Sequence, residues 1–132
     1  MNKIEHIGYL TGNIEATTEQ FRLLGYTPMG GVILDNTQKT KICFLQKEGV
    51  TKVELVEPFE ENEPMRNMLK KRGIGPYHIC FEVEDVYKEM EELNKSKWLP
   101  IFSPVPAPAF NERLICYMFK KEIGYVELLN KK

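Results

Sequence analysis

The chain has 132 residues, 42% hydrophobic and 28% charged, with 18 Lys and Arg against 19 Asp and Glu. That length supports one core but not two independent ones, and a formal charge of −1 offers no basic excess for nucleic acid or an anionic membrane. No run approaches the roughly 18 uninterrupted apolar residues of a membrane helix.

The N-terminal MNKIEHIGYL lacks the long apolar stretch and small-residue cleavage site of an export signal. A cytoplasmic protein that meets a small molecule, with no nucleic acid and no membrane as partners, is expected. The first predicted element is a strand over 3–10, closed by Asn13, a helix-capping residue. A helix follows with Ile14, Phe21 and Leu24 on one face, and Gly25 supplies a left-handed stop. Strands are predicted around 28–34, 41–46 and 51–57. The segment PFEENEPMRNMLKKRGIG then reads as a linker helix over 62–73, with Asn62 or Glu63 as cap, Pro64 in the first turn and Gly73 at the end.

The same series recurs. A strand over 76–83 stops at Asp85, and Val86, Met90 and Leu93 share a helix face that closes near Asn94. Strands follow around 98–102, 113–119 and 123–129. Between them SPVPAPAFNER, residues 103–113, is expected to be a semi-rigid loop, because proline lacks the N–H that a central strand needs. Sliding the sequence by 72 residues sets His6 on His78, Tyr9 on Phe81, Asn13 on Asp85, Phe21 on Leu93, Tyr26 on Trp98 and Pro28 on Pro100. With a one-residue shift VELV, 53–56, falls on VELL, 126–129. The ordered series marks an internal repeat. One domain over 1–132 is expected, with module one at 1–58 and module two at 75–132. The fold class is α+β: two tandem βαβββ modules forming a curved, cup-like mixed sheet.

Strand alternation locates the polar groups. Ile7 and Tyr9 share a face and leave His6 opposite; Ile79, Phe81 and Val83 do the same for His78. Val53 and Leu55 set Glu54 apart, as Val126 and Leu128 do Glu127. If the apolar faces pack on the helices, His6, Glu54, His78 and Glu127 project together from the other face. Two imidazoles and two carboxylates suit a divalent ion of the Zn, Ni or Co type. A lone histidine is more often structural, but these are the chain's only two and they occupy one repeat position.

Other residues read more plainly. Cys43, Cys80 and Cys116 lie in separate apolar runs without CxxC spacing, as reduced core thiols do. Trp98 reads as core. Phe110 and Asn111 stand near the mouth of the cup by position alone, with a packed aromatic and a loop-forming Asn as the plainer reading. Lys41 and Arg113 flank corresponding strands, where they could meet an anionic substrate but where such charges are routine.

The paired modules, the opening KIEHIGYL, the VELVEP strand, the passage PYHICFEVEDV and the closing GYVELL resemble the vicinal oxygen chelate superfamily across essentially the whole chain. That group includes glyoxalase I, methylmalonyl-CoA epimerase, extradiol dioxygenases and bleomycin-resistance proteins. The resemblance implies a glyoxalase-like fold with a metal on His6, Glu54, His78 and Glu127. The stretch VELVEPFEENEPMRNMLKKRGIGPYHICFEVEDV is similar to the middle region of methylmalonyl-CoA epimerases. The implied reaction removes a proton next to a carbonyl through a metal-stabilised enolate, with Glu127 first and Glu54 second as catalytic base. The alternatives are a glyoxalase I-like lyase and, from another class, a ligand-sequestering resistance protein. A CoA or glutathione thioester or hemithioacetal is the implied substrate type, and a homodimer the implied assembly. PAPAFNER and FKKEIG depart from the epimerase pattern at the mouth of the cup.

Overall fold

The computed structural model describes residues 2–131, which cluster into two compact units: residues 7–76, and residues 2–6 together with 77–131. The first strand, β1 (Lys3–Leu10), is divided between them.

In the unit formed by residues 7–76, β1 leads into α1 (Ile14–Leu23), then β2 (Thr27–Pro28), β3 (Ile33–Asp35), β4 (Thr40–Gln46), β5 (Lys52–Pro58) and α2 (Glu63–Arg72). The strand order is β2-β4-β5-β1, with β3 also on β4. The Asn13 side chain accepts the Ala16 N–H at 3.0 Å, satisfying one of the free donors of the first turn. The Ile14 N–H donates to Glu57 Oε1 at 2.9 Å, tying the helix start to the end of β5. Ile14, Cys43, Leu45, Val53 and Leu55 are buried together, with Tyr9, Phe21 and Tyr26 packed on them.

Two expectations differ here. Leu24 is 62% exposed, not core, because the helix closes one residue earlier and the Leu24 N–H turns back to the Phe21 carbonyl. The strand expected over 28–34 divides into β2 and β3, since Gly30 takes φ +75° and the chain bends away from the ladder. The linker helix forms as read: Asn62 accepts the Met65 N–H, and Gly73 closes the helix at φ +80°.

In the other unit the order of elements is β6 (Gly75–Val83), α3 (Val86–Lys95), β7 (Leu99–Pro100), β8 (Val105–Ala107), a 3-10 turn (Pro108–Phe110), β9 (Arg113–Lys120) and β10 (Gly124–Asn130). The strand order is β1-β6-β10-β9-β7, with β8 also on β9. β6 and β10 run parallel, while β9 is antiparallel to β10. Asp85 caps α3 by accepting the Tyr87 N–H at 2.9 Å. The Val86 N–H donates to Asn130 Oδ1 at 2.9 Å. Asn130 thus does for α3 what Glu57 does for α1, a second level of repetition below that of the sequence. Val83, Val86, Cys116, Met118, Val126 and Leu128 form the core, packed by Met90, Leu93 and Trp98.

The stretch 103–113 is not wholly loop. Val105–Ala107 form β8, which pairs with β9, Pro106 opposite Leu114. A short strand on the margin of a sheet has one open side, and there the missing proline N–H costs no ladder bond.

Candidate metal centre

His6, His78 and Glu127 stand on β1, β6 and β10, three strands that follow one another in the sheet of a single unit. Their neighbours in sequence explain where they point. Phe81 and Val83 on β6, and Val126 and Leu128 on β10, pack with α3, so the alternate residues project from the opposite face. All three are buried: His6 is 0%, His78 4% and Glu127 2% exposed.

Their functional atoms converge. His6 Nε2 lies 3.1 Å from His78 Nε2, and each Nε2 lies 3.0 Å from Glu127 Oε1. Burial pushes the Glu127 carboxyl up, but hydrogen bonds from His6 and His78 and their charge outweigh it and hold the group at about 2. It is therefore a carboxylate at neutral pH. The other nitrogen of His6, Nδ1, sits 3.1 Å from Glu5 Oε1. In the neutral ring a proton on Nδ1 satisfies that carboxylate, and Nε2 then turns a lone pair, no longer a hydrogen bond, toward the Glu127 oxygen. Lone pairs at 3.0 Å repel unless a proton or a cation lies among them. The three atoms form a near-equilateral triangle of borderline and hard donors, a set that could hold a divalent ion.

Aromatic rings enclose the histidines. Phe110 stacks on His6, centroids 5.7 Å apart and planes 11° from parallel. Tyr77 and Tyr117 meet His78 edge-on at 4.5 and 5.1 Å. Of these, Phe110 was singled out by position; it is buried beside a candidate ligand. Asn111 instead shapes the turn, at φ +53°.

Glu54, the fourth candidate, is 3% exposed on β5 of the other unit, opposite Phe44 in the ladder. Val53 and Leu55 on either side of it face α1, so its predicted separation from the apolar face holds. Lys41 and Arg113 both have carboxylate partners, Glu57 at 3.6 Å and Glu82 at 3.1 Å. Trp98 packs on the core as expected.

Glu5 and Tyr117 were not read from the sequence. Alternation assigns Glu5 to the face away from His6, and nothing in that pattern shows its carboxylate reaching back to the neighbouring ring. Tyr117 was within reach: the β9–β10 hairpin sets it directly opposite Glu127.

Residues 5–117 match the sequence pattern of the Glyoxalase/Bleomycin resistance protein/Dioxygenase superfamily. The chain belongs to that superfamily. It is 24% identical over 127 residues to a mitochondrial methylmalonyl-CoA epimerase of Dictyostelium discoideum, covering 96% of this chain and 75% of the relative. An ethylmalonyl-CoA/methylmalonyl-CoA epimerase of Cereibacter sphaeroides is 23% identical over 125 residues, 94% of this chain and 92% of that one. A Streptomyces coelicolor methylmalonyl-CoA epimerase variant, solved in complex with 2-nitronate-propionyl-CoA, superposes with a TM-score of 0.83 at 21% identity, covering 98% and 96% of the two chains. The glyoxalase-type fold expected from the sequence is therefore the fold of this superfamily member. Among the described residues, no helix is long and apolar enough to cross a membrane.

Proposed function

We propose that this superfamily member is a metal-dependent enzyme that removes the proton α to the carbonyl of a CoA thioester, in the manner of a methylmalonyl-CoA epimerase. The observation that carries the reading is the meeting of His6 Nε2, His78 Nε2 and Glu127 Oε1 at 3.0–3.1 Å. In this reading His6, His78 and Glu127 hold the ion, and Glu54, the repeat counterpart of Glu127, adds the fourth protein ligand. Module one (1–58) and module two (75–132) each give one histidine and one glutamate to a single domain.

A divalent ion, when bound, supplies positive charge that offsets the negative charge growing on the substrate oxygen. The chain supplies the rest. A carboxylate takes the α proton, the C–H electron pair moves toward the carbonyl, and the carbon becomes planar. A second group in its protonated form gives a proton to the other face and so inverts the centre, while the first carboxylate passes the proton it took to solvent. Glu127 is the first candidate for the base and Glu54 the second. The burial of His6, His78 and Glu127 keeps bulk water from competing for the proton and lowers the local dielectric. The protein acts as a homodimer in the cytoplasm in this reading.

The test is α-proton exchange. Racemic methylmalonyl-CoA is incubated with the protein in deuterated water, and deuterium uptake is followed by mass. Exchange that disappears in Glu127→Gln supports the reading. Exchange absent here but turnover of the glutathione hemithioacetal of methylglyoxal would assign a lyase. Inactivity toward both, with tight retention of a ligand, would assign a sequestering protein.

A further inference from the structure

We propose that Glu5 and Phe110, neither of which supplies a metal-ligating atom in the reading above, are positioning residues that hold His6 by edge and face as a fixed Nε2 donor. The inference rests on the metal-site reading for its ligand and extends it to the residues that make the site rigid.

The two contacts restrict different freedoms of one ring. Imidazole has two tautomers, and only the one with its proton on Nδ1 offers Nε2 to an ion. Glu5 Oε1 stands 3.1 Å from Nδ1, and its side chain is only 14% exposed, so water competes weakly for that bond. A carboxylate there holds the Nδ1 proton in place and makes the distal nitrogen a better donor. Rotation about the Cβ–ring bond is the second freedom. Phe110 lies flat against the imidazole, 11° from parallel, so turning the ring would drive it into the phenyl face.

Phe110 is itself held. The Arg113 guanidinium lies 5.6 Å from the Phe110 centroid, and Arg113 is anchored by Glu82 at 3.1 Å and by the Asn130 carbonyl at 3.4 Å. The turn that delivers it has two successive non-glycine residues in the left-handed region, Asn111 at φ +53° and Glu112 at φ +67°. Each is an unfavourable conformation for an L-residue, and such outliers persist where the surroundings over-determine them. The Glu112 N–H donates to the Ala107 carbonyl at 3.0 Å and closes the turn behind Phe110. The PAPAFNER segment is thus built around the presentation of one phenyl ring to one imidazole.

The experiment titrates the metal-free full chain with Co(II) and reads the visible absorption of the bound ion, with the melting temperature of each metal-free variant measured alongside. Glu5→Ala and Phe110→Ala should each weaken Co(II) binding by about 10–100-fold. Glu5→Gln should recover part of the loss, since its amide oxygen still accepts from Nδ1, and Phe110→Tyr should recover most. All four should melt close to wild type without metal, or else retain the loss when compared at equal distance below their own melting temperatures. Wild-type affinity in both alanine variants, or affinity that falls only in proportion to melting temperature, overturns the inference. If the wild-type chain itself takes up no Co(II), the metal-site reading fails instead.

Discussion

Binding of a divalent ion should raise the melting temperature of this protein by about 10 °C, and the increment should vanish in the His6→Ala, His78→Ala double variant. The proposed ligands His6, His78 and Glu127 lie on three strands, with His6 far in sequence from the other two, so the unfolded chain cannot present the triangle and an ion held by it would bind the folded state alone. Under that condition an ion at 100 times its dissociation constant contributes about 2.7 kcal/mol. An unfolding entropy of about 2.1 cal/mol/K per residue, scaled to this chain length, gives roughly 0.28 kcal/mol/K, and the quotient is about 10 °C. The measurement is a pair of thermal melts, one after exhaustive chelation and one with excess Zn(II) or Co(II), each variant compared with its own metal-free form. An equal increment in the double variant would refute the assignment of the ligands, and no increment in the wild type would refute the site.

Other expectations follow from the packing. Met118→Ala should cost about 2–5 kcal/mol in urea unfolding with an unchanged slope, since Met118 is fully buried within its cluster. Glu57→Ala and Asn130→Ala should each cost about 1 kcal/mol by the same assay, because each strips a partner from the first N–H of a helix, and the two losses should add. A thiol reagent should label none of the cysteines in the native protein and all three after unfolding. Cys43, Cys80 and Cys116 are buried, burial pushes the Cys43 thiol up, and burial with the nearby Glu127 charge pushes Cys116 to about 12. Rapid native labelling of Cys116 would contradict its placement.

The histidines and glutamates were legible because burial and alternation act locally. His78, Glu54 and Glu127 are each flanked by apolar residues, and His6 is followed by the alternating Ile7 and Tyr9, so a period of two decides which face each polar group takes. The helix caps Asn13 and Asp85 were legible for a related reason: a short side-chain acceptor ahead of an amphipathic run answers a need of the first helical turn. What escaped was set by register and reach. The edge strand at Val105–Ala107 depends on which side of β9 is open, and proline content argued only against a central position. The reversal of Leu24 into solvent depends on where the helix yields to a turn, a matter of one residue. Glu5 required knowing that a side chain on the wrong face could still return to the ring beside it, and Tyr117 required the hairpin register.

The division of β1 sets a condition on the proposed metal centre. Residues 2–6 cluster with 77–131, so the first histidine is lodged among the strands of the later repeat. One repeat carries one imidazole and one glutamate of the candidate set, and no single copy can gather two imidazoles around an ion. On the proposed assignment, a chain cut between Gly73 and Tyr77 would yield two halves, each with one imidazole and one glutamate of the candidate set, and metal uptake should then depend on the concentration of both.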